Sequence, residues 1–190
     1  MSQLRETVIT SISSDPDAGE LVVLVDESGA EIGTAEKSTV HTQSTALHRA
    51  FSCHVFSADG RVLLTRRALG KLTWPGVWTN SFCGHPAPGE QQEVAIRRRA
   101  ERELGLALHG LEVVLPDFRY RAVDASGIVE NELCPVFRAT VDVDPDPARD
   151  EVVEWAWVHP GDLREAVEAT PFAFSPWLVL QLAEWTEFGA

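Results

Sequence analysis

Positive charge, cysteine and long apolar runs are all scarce in this chain. Its 190 residues carry 16 Lys and Arg against 29 Asp and Glu, a formal charge of −13. A chain this acidic lacks the positive field that general nucleic-acid or acidic-membrane binding needs, and no such partner is expected. A small anionic substrate is not excluded, because cations gather locally at Arg66, Arg67, Lys71 and Arg97 to Arg99. The three cysteines, Cys53, Cys83 and Cys134, are odd in number and far apart, a pattern that does not suggest a disulfide scaffold. No CxxC pair points to structural zinc. No segment approaches the roughly 18 continuous apolar residues of a membrane span, and the N-terminus has no hydrophobic signal core. The expectation is a soluble, cytoplasmic protein with reduced thiols, a monomer or weak dimer. Against one Tyr and one Met stand six Trp, most of them suited to core packing and one or two to a pocket wall.

What is present reads as one domain over residues 20–190, preceded by a polar, flexible leader over residues 1–19. Leu21 to Val25 is β-branched and predicts a strand, with a possible return strand over Glu31 to Lys37. Ala50 to Phe56 and Arg61 to Arg67 flank an Asp59-Gly60 hairpin signal. Val77 to Phe82 predicts a short strand. Ile96, Ala100 and Leu104 recur at helical spacing, so Glu90 to Leu104 predicts a helix stopped by Gly105. Leu111 to Leu115 predicts a strand, and Asp117 to Val123 with Ile128 to Val141 a long hairpin. Asp142 to Asp150 is a surface loop and Val152 to Val158 a strand. Helices follow over Pro160 to Ala169 and Trp177 to about Glu187. Hairpins around one central helix and two late ones imply class α+β, a mixed β-sheet with flanking helices and additional hairpins.

Chemistry concentrates at Thr79-Asn80-Ser81-Phe82-Cys83-Gly84-His85-Pro86, where a thiol, a glycine and a potential metal ligand are consecutive. A cysteine is most often a small buried hydrophobe, and Cys53 and Cys134, within apolar strands, fit that role. Cys83 sits in a Gly/His loop instead. Glu130 and Glu132 are two apart in a predicted strand and therefore share a face. Two inward carboxylates are costly unless a cation or a reaction uses them. Arg99 and Glu103, four apart, share a helix face. His41 and His48 are weak signals by themselves, and His54, His109 and His159 have no motif.

The spacing from Gly84 resembles the Nudix box. Gly84, Glu90, Arg98, Glu103, Gly105 and Leu106 match it, whereas Arg99 and Arg102 replace metal-binding glutamates. The exchange removes metal ligands and adds anion donors, so the site should hold a diphosphate and hydrolyse it poorly. The flanking motifs are more specific. Arg66-Arg67-Ala68-Leu69-Gly70-Lys71, Trp74-Pro75-Gly76-Val77-Trp78, Tyr120-Arg121-Ala122, Gly127-Ile128-Val129-Glu130-Asn131-Glu132-Leu133-Cys134-Pro135-Val136-Phe137 and Phe174-Ser175-Pro176-Trp177 closely resemble the type I isopentenyl-diphosphate isomerase family, a divergent Nudix-fold branch. The resemblance runs from about Leu21 to Trp177.

The resemblance implies an α/β/α Nudix-like sandwich and the conversion of isopentenyl diphosphate to dimethylallyl diphosphate in isoprenoid biosynthesis. An alkene is protonated at one carbon and loses a proton from another through a carbocation-like intermediate, which needs an acid, a base and a dry pocket. It implies Cys83 and Glu132 as the proton-transfer groups, with Tyr120 beside Glu132. It implies His41, His48, His85, Glu130 and Glu132 as ligands of a divalent metal, Mg²⁺ or Mn²⁺ with Zn²⁺ possible, nitrogen donors favouring the later ions. Glu103 and the Cys83 carbonyl would hold a second Mg²⁺. Lys37, Arg67, Lys71 and Arg99 would bind the diphosphate, and Trp177 would line the pocket. The competing readings are a Nudix-type pyrophosphohydrolase of a small diphosphate and a non-catalytic phosphate- or metal-binding module. Arg99, Arg102 and Cys83 speak against the first, and Cys83 together with Glu132 against the second.

Overall fold

The computed structural model describes residues 19–189. The leader expected over residues 1–19 lies, except for Gly19, outside the described residues. The chain opens with β1 (Leu21–Val25) paired antiparallel to β2 (Glu31–Glu36). Their turn is held by Asp26, whose Oδ1 accepts from the backbone N–H groups of Ser28 and Ala30 at 2.9 and 3.1 Å. One helical turn, α1 (Lys37–Val40), leads to β3 (His48–Arg49) and β4 (Phe51–Ser57). The Asp59-Gly60 hairpin, with Gly60 at φ 81°, returns as β5 (Val62–Arg67). The strand expected over Val77 to Phe82 is two short pieces, β6 (Trp78–Thr79) and β7 (Phe82–Gly84).

Next come α2 (Gln92–Leu104), β8 (His109–Leu115), β9 (Arg119–Val123), β10 (Val129–Leu133), β11 (Val136–Val141), β12 (Val152–Val158), α3 (Pro160–Ala169) and α4 (Pro176–Glu184). Ser175 caps α4, its hydroxyl accepting from the Leu178 N–H. Gly105 ends α2 in the left-handed region at φ 65°, and the Leu106 N–H bonds back to the Ala100 carbonyl at 3.2 Å. None of the described helices is long and apolar enough to cross a membrane.

The strands form two sheets, ordered β2-β1-β3-β10-β9 and β12-β5-β4-β11-β8, with β6 on β5 and β7 on β4. Each sheet is mixed, because β3 and β10 run parallel in the first and β4 and β11 in the second. The long arm expected over Ile128 to Val141 is therefore corrected. It breaks at Cys134-Pro135, where proline has no N–H to donate to a ladder. The neighbouring chain breaks alongside it at Ala50. Bonds from Ala50 N to Leu133 O (2.9 Å) and Ser52 N to Pro135 O (3.1 Å) carry the pairing across the switch. Two parallel strands thus pass together from one sheet to the other.

Ala95, Ile96, Ala100 and Leu104 of α2 are buried against Phe51, Cys53, Val55 and Leu63. Leu163 and Val167 of α3 and Leu178 and Leu182 of α4 pack with Phe56, Val62 and Leu64. A third cluster joins Trp177 to Ala50, Phe118, Tyr120 and Cys134, where the strands change sheets. Burial of these apolar surfaces is the main stabilising term.

Candidate active site

A cavity of about 610 Å³ opens beside the sheet switch, and twelve of the thirteen predicted site residues line it. Lys37, His41, Arg67, Lys71, Cys83, His85, Arg99, Glu103, Tyr120, Glu130, Glu132 and Trp177 are the twelve. His48 is fully buried directly behind the wall.

The histidine end is built by strand pairing. Glu132 on β10 lies opposite His48 on β3, and His85 follows β7 directly. Donor atoms of His41, His48, His85 and Glu132 all fall within 4.8 Å of one another. The three Nε2 atoms lie 4.0, 3.6 and 3.2 Å from one oxygen, Glu132 Oε1. His48 Nδ1 faces the Ala46 carbonyl at 2.9 Å, which assigns its proton to Nδ1 and turns the Nε2 lone pair inward. The Nε2 atoms of His41 and His48 are buried with no hydrogen-bond partner among the described residues. Converging, partnerless imidazole nitrogens beside a carboxylate fit a divalent cation of the borderline class.

Burial would lower the pKa of His48, but the Glu132 carboxylate beside it raises it overall, so a cation bound here would displace a proton. Burial alone would raise the Glu132 carboxyl, but the three histidines hold it well below the usual carboxylate range. Burial pushes His85 down to about 4, outweighing Glu132, and so favours its neutral, metal-binding form. Glu130 stands outside the group of four. Its Oε1 accepts from Thr73 Oγ1 at 2.5 Å and its Oε2 lies 2.7 Å from the Tyr120 hydroxyl. Burial and the neighbouring Glu132 charge raise its pKa. The same hydroxyl lies 3.0 Å from Glu132, so Tyr120 bridges the two carboxyls.

Cys83 lies on β7 opposite Ser52 of β4 and is partly open to the cavity. Burial pushes its thiol up to about 12, so at neutral pH it carries its proton. Its Sγ is 3.1 Å from Ser52 Oγ and 3.4 Å from Asn80 Oδ1. Gly84 has no room for a side chain, since a Cβ there would lie 2.8 Å from Phe51 Cζ and 3.0 Å from Arg99 Cγ. That close approach seats Cys83 and His85 against α2.

At the cationic end, Arg99 and Glu103 form an ion pair on the buried face of α2. Arg99 also lies 3.6 Å from Glu151, which is paired with Lys71. Burial raises the Glu103 carboxyl, with Arg99 opposing it. Arg67 donates to the Thr73 carbonyl at 2.9 Å and stacks 5.4 Å from the centre of the Trp177 ring. Lys37 is paired with Glu20 at 2.9 Å. The box residues Glu90 and Arg98 bind each other through two contacts of 2.9 and 2.7 Å and pin the loop before α2.

Sequence reasoning missed Glu151, Thr73 and Ser52. Glu151 follows a Pro/Asp-rich loop and has no spacing relation to Lys71 or Arg99, so only folding could find it. His54 is fully buried and bonded to Gln181, His109 is exposed near Asp142, and His159 precedes α3. All three cysteines are free.

The NUDIX domain description matches residues 46–178. The isopentenyl-diphosphate Delta-isomerase of Clavibacter sepedonicus is 66% identical over 167 residues, covering 88% of each chain. Its namesake from Agromyces mediolanus is 67% identical over 164 residues, covering 86% of this chain and 80% of that one. Among solved structures, a Deinococcus radiodurans protein superposes with a TM-score of 0.70 at 19% identity, over 88% of this chain and all (100%) of that one. A MutT protein from Methanosarcina mazei gives 0.56 at 16%, covering 73% and 92%. These two likenesses speak to the fold alone.

Proposed function

The chain belongs to the NUDIX-domain family and, within it, to the isopentenyl-diphosphate Delta-isomerases, and from that premise we propose that Cys83, Glu132 and Tyr120 carry its proton transfers. The reaction is the conversion of isopentenyl diphosphate to dimethylallyl diphosphate. One carbon of the alkene gains a proton, another loses one, and the diphosphate stays attached. The observation that carries the assignment is the convergence of a thiol, a phenol-bridged carboxyl pair and the three-histidine cluster on one cavity.

In this reading Cys83 exchanges its S–H proton with one carbon of the substrate, and Glu132 exchanges the other with the second carbon. Tyr120 relays a proton between Glu132 and Glu130; each turnover moves one proton between Cys83 and this carboxyl pair, and its return through solvent once product has left restores the starting state. The aromatic walls formed by Phe82, Tyr120 and Trp177 limit water at the cationic centre. The Trp177 ring faces that centre, a contribution of about 2 kcal/mol when desolvated. Lys37, Arg67, Lys71 and Arg99 bind the diphosphate. Glu103 and Glu151 hold Arg99, and Glu151 holds Lys71, in place before substrate arrives.

His41, His48, His85 and Glu132, with Glu130 adjacent, would hold a divalent cation, Mn²⁺, Mg²⁺ or Zn²⁺. Bound there, it would supply positive charge that keeps Glu132 ionised and the three rings oriented. Glu103 and the Cys83 carbonyl are the place for a second Mg²⁺ carried in with the diphosphate. On the same reading residues 20–190 form one catalytic domain that works in the cytoplasm, where a reduced thiol persists.

The test is direct. Purified protein with Mg²⁺ and Mn²⁺ converts isopentenyl diphosphate to dimethylallyl diphosphate without releasing phosphate. Cys83→Ala and Glu132→Gln each lower kcat at least about a hundredfold, the scale of a lost acid–base group, while circular dichroism is unchanged. Phosphate release without isomerisation would instead favour the hydrolase reading.

A further inference from the structure

Behind Cys83, away from the cavity, lies a buried polar chain that the proton transfers above do not use. Ser52, Gln181 and His54 are all fully buried, and none lines the cavity. His54 Nε2 is 2.9 Å from Gln181 Oε1, Gln181 Nε2 is 2.8 Å from Ser52 Oγ, and Ser52 Oγ is 3.1 Å from Cys83 Sγ. The residues come from β4, β7 and α4, so the chain ties the last helix to the strand that carries the thiol.

The direction of each bond follows from its ends. At one end, Asn80 Nδ2 donates to the carbonyls of Cys53 and Phe82 at 3.1 and 2.8 Å. That leaves Asn80 Oδ1 as an acceptor only, and it receives the Trp177 Nε1–H and the Thr79 hydroxyl, each at 2.9 Å. The contact between Cys83 Sγ and Asn80 Oδ1 therefore uses the one S–H proton of the thiol. With its proton so directed, the sulfur can only accept from Ser52.

The other end gives the same polarity. His54 Nδ1 is buried with no partner among the described residues. An orphaned N–H is costlier than an orphaned lone pair, so the proton belongs on Nε2, donated to Gln181 Oε1. Gln181 Nε2 then donates to Ser52. Cys134 Sγ, 3.7 Å from Ser52 Oγ, is placed to donate to it as well. The Ser52 oxygen is supplied with donors from two sides, and its own hydrogen is left for Cys83.

We propose that Ser52 is a positioning residue for the isomerisation, its hydroxyl donating to the Cys83 sulfur in a direction imposed by Gln181 and His54. The reacting proton still moves between sulfur and carbon. Ser52 keeps its own proton, and its O–H is the side-chain donor on the sulfur when the sulfur keeps the electron pair of the broken S–H bond. The donor is already aligned, so no reorientation is needed at that step.

This inference rests on the reading of Cys83 as a proton-transfer group, so Cys83→Ala is assayed beside every variant. Ser52→Ala lowers kcat about tenfold, the scale of one hydrogen bond to a charged group, with KM changed less than about twofold. Ser52→Thr, which keeps the hydroxyl, recovers much of the loss. Gln181→Met lowers kcat less, and the Ser52→Ala/Gln181→Met double variant is no slower than Ser52→Ala, because both act through one bond. A kcat for Ser52→Ala like the wild type, a loss carried by KM, or losses that multiply would each overturn the proposal. If Cys83→Ala stays active, the reading of Cys83 fails; if it is inactive while Ser52→Ala is normal, only the Ser52 inference fails. Should the Ser52 variants not fold, the infrared difference between wild type and Cys83→Ala decides. An S–H band that is shifted in the wild type and moves towards the free-thiol position in Asn80→Ala supports the direction of the chain, and a band unmoved by Asn80→Ala, or free in the wild type, overturns it.

Discussion

Replacing Tyr120 by Phe deletes one oxygen at the centre of the site. The hydroxyl lies 2.7 Å from Glu130 and 3.0 Å from Glu132. The ring sits between Phe118 and Trp177, with centroids 6.0 and 5.7 Å away, and Phe keeps that packing. The phenol has one proton and two acceptors, so it satisfies one carboxylate at a time. Every contact is satisfied together when Glu130 holds a proton facing Tyr120 and Tyr120 donates to Glu132. The raised proton affinity of Glu130 and the depressed one of Glu132 suit that arrangement. The deletion thus removes about one charge-assisted bond, not two, and costs about 2 kcal/mol. For a domain of this size that is a fall in Tm of about 4–8 °C. Urea unfolding under matched metal conditions measures the first quantity and calorimetry the second. Loss of the bridge also slows turnover, with kcat at least about a hundredfold lower and KM nearly unchanged, because the cations proposed to bind the diphosphate are untouched. Unaltered stability and unaltered kcat would refute the bridge. A change confined to KM would move Tyr120 from proton transfer to substrate binding.

Two further outcomes follow from the same geometry. Metal-free protein gains Tm on addition of Mn²⁺, with about 2.7 kcal/mol of stabilisation at a hundredfold excess over Kd. His85→Ala loses most of that gain, and an equal gain in both proteins would remove His85 from the cluster. Separately, His54 is held neutral because burial pushes it from 6.5 down to about 4. The unfolded chain binds a proton there first, so the stability this residue contributes is fully present above pH 6.5 and is lost as pH falls towards 4. The gap corresponds to about 3 kcal/mol at about 1.4 kcal/mol per pH unit. His54→Gln unfolding curves at pH 7 and pH 4.5 should show a smaller acid loss than the wild type, and parallel losses would contradict the assignment.

How much of this was legible beforehand depends on how local each feature is. Helix α2 was readable because its apolar spacing and its Gly105 stop lie within 15 residues, and Arg99 and Glu103 were bound to share a face by helical period. Cys83, Gly84 and His85 are consecutive, and Glu130 and Glu132 obey the two-residue period of a strand. The break at Cys134-Pro135 was written in the chain but overlooked inside an apolar run, so two strands in different sheets were read as one.

The sequence by itself determined the class α+β and, through its motifs, the family, and it named the candidate reacting groups. Tertiary structure alone decided which of them meet. His48 reaches Glu132 because β3 and β10 pair in parallel, a contact between segments 84 positions apart, as the bond from Thr45 to Val129 beside it is. Ser52 meets Gln181 across 129 positions. Glu151 joins Lys71 and Arg99 from a loop with no pattern of its own. Such partners are chosen by which strand edges and apolar faces are buried together, a property of the whole chain that no window of sequence contains.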